Sequence, residues 1–190
     1  LLVFTFVGCS HTPGDAAWRS GHPLQAAKLF RSGAEYNDGV AALKLGLLIE
    51  SGDVKESEFG NPAFWYERAC ELENMTGCHN LGVCFENGKG GVSRDITQAV
   101  HFYLMAAERG YIQAQYNLGS LYSNQYVSPS NDLEGYKWIL LAQKAAQGRK
   151  GAVSEWILKD PPGHKARLKS RLTEGQIKEA ERIASIWKQK

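Results

Sequence analysis

The residues best suited to metal or redox chemistry are five histidines (His11, His22, His79, His101 and His164) and four cysteines (Cys9, Cys70, Cys78 and Cys84). His79 and His101 fall near Cys78 and Cys84 in the chain. No Cys-x-x-Cys or His-x-x-x-His spacing accompanies them, so one helix face does not gather the ligands a zinc ion needs, and no metal is expected. The one Ser-x-x-Lys, Ser185 to Lys188, lies in a terminal helical pattern without the partner motifs of a serine acyl-enzyme. Gly88, Gly90 and Gly91 lack the following Lys-Ser or Lys-Thr pair of a phosphate loop and read as an interhelical turn. The reading is a chain without catalytic residues or cofactor.

The elements that carry these residues recur. Leu-Gly appears at Leu45-Gly46, Leu81-Gly82 and Leu118-Gly119, at spacings of 36 and 37 residues. An aromatic residue follows each glycine after 19 or 20 positions: Trp65, Phe102 and Trp138. A period in the thirties marks stacked helical hairpins. Glycine within a helix costs about 1 kcal/mol relative to alanine, so its return at one phase implies that a neighbouring helix needs the space. Apolar residues continue at helical spacing past each glycine, which argues against a helix end there.

These residues resemble the Sel1-like repeat family, relatives of tetratricopeptide repeats. The second unit carries Gly88-Lys89-Gly90-Gly91-Val92, Asp95, Ala99, Phe102-Tyr103, Ala106-Ala107 and Gly110; the third carries Ala114-Gln115-Tyr116-Asn117-Leu118-Gly119 and Tyr136-Lys137-Trp138. The resemblance implies an all-α, right-handed α-α superhelical solenoid with capping helices at both ends. The array spans 34–158, divided into 34–73, 74–110, 111–148 and a partial unit 149–158. A capping helix at 23–33 precedes it, capping helices at 159–190 follow, and 10–22 is expected as a tether. Asn61-Pro62 reads as a helix start, and Thr173 with Gln176 as a capping box. The cysteine-rich members pair the cysteines of Ala-Cys-x-Leu and Gly-Cys-x-x-Leu-Gly, which implies a Cys70–Cys78 bridge here. Cys84, at an apolar helical phase, reads as a buried free thiol.

Residues 1–9 open with the apolar run Leu1 to Val7, too short to cross a membrane as a helix and similar to the later part of a secretory signal. Phe6-Val7-Gly8-Cys9-Ser10 resembles a bacterial lipobox, which implies lipidation at Cys9 and residence in the periplasm, anchored to the outer membrane. The formal net charge is +2, with nine Lys/Arg against four Asp/Glu in residues 159–190. That basic stretch has no nucleic-acid reader motif and is read as a solvated helix face.

Function is therefore expected from a surface. A solenoid presents a concave face lined by the first helix of each unit. Alignment on Leu-Gly places Lys44, Asn80 and Asn117 in one row, Leu43, His79 and Tyr116 in a second, and Leu47, Val83 and Ser120 in a third. Candidate partner-binding residues are Lys44, His79, Asn80, Tyr116, Asn117 and Ser120, with Tyr126 on the irregular connection of the third unit. The expected partner is another protein, and the free chain is expected to be monomeric. By resemblance the specific expectation is an immunity protein that neutralises a type VI secreted, phospholipase-type effector. An envelope scaffold is the alternative, and an enzyme acting on β-lactam or cell-wall substrates a third reading.

Overall fold

A computed structural model describes residues 12–124, 126 and 131–188, which form twelve helices and no strand. Helix α1 (Pro13–Arg19) packs on α2 (Pro23–Glu35), and α2 on α3 (Gly39–Glu50). A four-residue helix, α4 (Glu56–Phe59), leads into α5 (Pro62–Glu71), which lies along α3. Two further hairpins follow: α6 (Met75–Asn87) with α7 (Ile96–Glu108), and α8 (Ile112–Ser123) with α9 (Asp132–Ala146). The chain ends with α10 (Ala152–Lys159), α11 (His164–Arg171) and α12 (Glu174–Ile186), all packed on α9. The result is an all-α stack of hairpins.

Local chemistry starts the helices where polar caps precede apolar runs. Asp38, Asn61, Asn74 and Asp95 each accept hydrogen bonds from the first turns of α3, α5, α6 and α7. Thr173 and Gln176 close a reciprocal capping box on α12. Between hairpins the chain turns through a left-handed residue at a constant phase: Asn37 (φ 64°), Glu73 (φ 58°) and Gly110 (φ 77°).

The recurring helical glycines are contact points. A Cβ on Gly46 would stand 2.6 Å from the Tyr66 ring, one on Gly82 2.6 Å from the Tyr103 ring, and one on Gly119 2.6 Å from Ile139. The helices run straight through all three positions. The partner is thus the residue after the aromatic anchor that the period marks. Trp65 instead donates its indole N–H to the Phe59 carbonyl at 2.6 Å, and Trp138 meets Trp187 edge to face at 6.3 Å between centroids.

Two boundaries shift. Residues 13–19, expected within a tether, are helical: Thr12 and Asp15 form a capping box, and Gly14 lies under the Phe30 ring, 2.5 Å from where a Cβ would be. The stack therefore begins one hairpin earlier, and the helix expected at 23–33 is the second member of that hairpin and extends to Glu35. The signal-like residues 1–9, the lipidation candidate Cys9, and Ser10 and His11 of the tether lie outside the described residues. No helix among the described residues is long and apolar enough to cross a membrane.

Candidate partner-binding surface

The first helices α3, α6 and α8 carry a polar ladder. The Tyr66 hydroxyl of α5 passes over Gly46 and donates to Glu50 on α3, with the Asn80 side chain of α6 close to the same hydroxyl. His79 Nδ1 is 3.2 Å from Asn80 Oδ1, and its Nε2 is 3.2 Å from Asn117 Nδ2 on α8. The amide N–H of Asn117 is a donor, so Nε2 accepts and the imidazole proton sits on Nδ1, donated to Asn80. The Asn117 side chain also lies close to the Tyr103 hydroxyl, which donates to Glu86 Oε2 at 2.6 Å.

Burial holds His79 neutral. Its ring lies 5.1 Å from Tyr111 and 5.7 Å from Tyr103 between centroids, and desolvation lowers its pKa below the ordinary 6.5. Glu50 is exposed, and Asn80, Glu86 and Asn117 are half-buried, so the ladder offers amide and carboxylate edges to a visitor. That array suits recognition of main-chain and polar side-chain groups of another chain.

A second cluster joins α8 to the C-terminal helices. Buried His164 places Nε2 3.1 Å from Ser120 Oγ, and Arg167 Nη2 is 2.8 Å from its Nδ1. Guanidinium nitrogens only donate, so Nδ1 accepts, the proton is on Nε2, and the imidazole donates to Ser120. This orientation is the reverse of a serine–histidine nucleophile pair, in which the imidazole takes the hydroxyl proton. Burial and Arg167 both lower the His164 pKa, with Asp160 opposing. Asp160 is saturated by the Tyr116 hydroxyl at 2.5 Å and by the backbone N–H groups of His164 and Lys165. Arg171 grips both carboxylate oxygens of Asp132 at 2.7 and 2.8 Å.

The residues singled out by alignment therefore separate. His79, Asn80 and Asn117 meet in one network. Ser120 belongs to the His164 cluster instead. Lys44 is not free on the surface: its Nζ lies 2.5 Å from Asp15 Oδ1 on α1, the helix that the tether reading missed. Burial works to raise the Asp15 pKa, but hydrogen bonds from Lys44 and Thr12 outweigh it and leave the carboxyl below its usual value. Tyr116 is corrected from contact residue to core. Its ring is 1 % exposed, covered by Trp156 at 4.8 Å and by His164. Tyr126 is exposed, with the Arg94 guanidinium 5.2 Å from its ring centroid, while Val127 to Ser130 of its connection lie outside the described residues.

Other contributors were not singled out in the sequence. Glu50 and Glu86 each stand four residues after a Leu-Gly glycine, a spacing that could have marked them; Asp160 and His164 lie beyond the repeat and had none. Cys70 and Cys78 are joined by a disulfide across the turn from α5 to α6. Cys84 is free and buried, and burial followed by the Glu50 charge pushes its thiol up to about 11. No group of three potential metal ligands occurs among the described residues.

A stack of helical hairpins carrying such a ladder defines a helical-repeat solenoid. Comparison places the repeats: the Sel1 repeat model matches residues 63–74, 76–111 and 112–147, and these residues form Sel1 repeats. The crystal structure of a Sel1 repeat protein from Oxalobacter formigenes is similar over 90% of this chain and 69% of its own, with a TM-score of 0.63 and 25% identity. A protective antigen of uropathogenic Escherichia coli with an SLR fold shares the fold at a TM-score of 0.50, with 19% identity over 89% of this chain and 50% of its own. A Helicobacter pylori protein named Beta-lactamase HcpA is 41% identical over 58 residues, 30% of this chain. The chain spans 22% of the length of that relative.

Proposed function

We propose that this protein works by binding another protein, with the ladder from Glu50 to Glu86 as the recognition surface. The observation that carries the reading is the hydrogen-bonded run Asn80–His79–Asn117, which joins two successive units and is flanked by the Tyr66–Glu50 and Tyr103–Glu86 pairs, so that amide and carboxylate groups stand in a fixed register. A surface ordered in this way loses little side-chain freedom when a partner arrives, which favours affinity.

Within that reading, the partner is a secreted antibacterial effector of phospholipase type, and this chain is its immunity protein, exported to the periplasm and held at the outer membrane through Cys9. Occlusion of a toxin's active-site mouth needs a surface and no chemistry from this chain. The alternative is an envelope scaffold with several partners. A β-lactam-processing enzyme draws support from the name of the Helicobacter pylori relative, and the proton orientation at His164 and Ser120 counts against those two residues as its nucleophile and base.

Co-purification of the full chain from the envelope of its own cells tests the proposal. A tight one-to-one complex with an effector, and self-intoxication on deletion, support immunity. Several weaker partners and no toxicity favour a scaffold. Turnover of a β-lactam, abolished by one polar substitution in a folded chain, would replace both.

A further inference from the structure

Helix α10 is a first helix without a second. In the units before it, α3 lies along α5, α6 along α7, and α8 along α9. After α10 the chain breaks at Pro161-Pro162, and α11 and α12 return to α9. Only Ser154 and Ile157 of α10 are buried. Ala152, Val153, Trp156 and Lys159, at positions i, i+1, i+4 and i+7, share one exposed face, with Val153 46% and Trp156 45% accessible.

The rim of this face is cationic. Arg149, Lys150 and Lys159 are exposed and form no ion pair among the described residues. Residues 149–171 hold seven Lys/Arg against two acids, Glu155 and Asp160; Asp160 is already saturated, and Arg171 and Arg167 are held by Asp132 and His164.

We infer that the Val153–Trp156 face of α10 receives an amphipathic helix of a partner protein, bearing acidic residues beside its apolar stripe. The inference rests on the protein-binding reading and adds the partner's chemistry at a site apart from the ladder. The occupant is a helix because the first helix of each earlier unit packs along a second helix, and α10 has no such companion following it. It is acidic because Arg149, Lys150 and Lys159 outnumber the one exposed carboxylate of this segment, Glu155. A face this small fits a weak, transient contact.

The test uses the full chain and two labelled synthetic helical peptides of about 18 residues, long enough to span the face. Both carry the same leucine stripe, flanked by glutamates in one and lysines in the other. Fluorescence anisotropy should show binding of the glutamate peptide alone, weakening as salt rises. Lys150→Glu with Lys159→Glu, both exposed, should cut affinity at least tenfold, about 1.4 kcal/mol, without moving the melting temperature. Trp156→Ala should do the same, with circular dichroism checking that the contact with Tyr116 is dispensable for folding. Failure of the glutamate peptide to bind, equal binding of both, or indifference to charge reversal would overturn the proposal. So would anionic phosphatidylglycerol vesicles taking the face through the same residues, or sedimentation showing a second copy of the chain seated there. A native partner that stays bound to the charge-reversed chain, when the peptide does not bind the native one, would sink this site alone. Peptide binding with no native protein partner would sink the broader reading.

Discussion

The Tyr103 ring packs against Gly82, where a methyl group would come within 2.6 Å of it, and this lets its hydroxyl reach Glu86 one helical turn further on. The same geometry links Gly46, Tyr66 and Glu50. Packing and polar surface are therefore one device: the missing side chain that seats the second helix also positions the carboxylate of the ladder.

Gly82→Ala should destabilise the protein by about 1 to 3 kcal/mol, because the added methyl must displace a buried ring and break the bond to Glu86. Gly175→Ala is the control: it stands in α12 with open space around it. That substitution should be neutral or stabilising by a few tenths of a kcal/mol, since alanine is the better helix former. Urea unfolding followed by circular dichroism separates the two, and equal midpoints would refute the close-packing account.

Glu73 occupies the left-handed turn that Gly110 fills one unit later. A side chain there costs about 1 to 2 kcal/mol, partly offset by the backbone entropy glycine would lose. Glu73→Gly is expected to stabilise by about 0.5 to 1 kcal/mol, while Gly110→Glu should destabilise. The ion pair of Glu73 with Arg109, at 3.6 Å and exposed, contributes little against this. Calorimetry on both variants decides it.

Acid should weaken the fold through His79 and His164. Desolvation depresses both pKa values, and Arg167 adds to the effect at His164. The unfolded chain then binds protons that the folded chain resists. The stability contributed by these neutral histidines is complete above the ordinary value of 6.5, and is lost as pH falls through it toward the depressed folded values. His164→Gln should flatten this part of the stability profile, and an unchanged slope between pH 7 and 5 would show that the imidazole is not the group responsible.

Removing the Cys70–Cys78 bridge, by reduction or by paired alanine substitution, should cost about 2 to 3 kcal/mol, as expected for cross-linking a short loop. Cys84 should resist alkylation until the chain unfolds, because it is 3% exposed and its thiol is held protonated. Mass spectrometry of the native, unreduced protein should find no site modified among Cys70, Cys78 and Cys84, and fast labelling of Cys84 would overturn its placement.

The repeat was legible in sequence because a helical glycine is costly and returns only where geometry demands it. The caps at Asn61 and Thr173 were legible because their side chains bond only three residues along the chain. Helix α1 was missed although its capping box is equally local: Thr12-Pro13-Gly14-Asp15 has the composition of a turn, and only the Phe30 ring seated on Gly14 explains the glycine. Tertiary structure alone decided the fate of the candidate surface. Alignment put Lys44, Asn80 and Asn117 in one row, but Asp15 claims Lys44 from 29 residues away, and Asp160 and His164 bury Tyr116 and engage Ser120 from 44. A periodic pattern reports which way a side chain leaves its own helix. What it then meets depends on the helix stacked next, and where the repeat gives way to irregular ends the pattern holds no record of that neighbour.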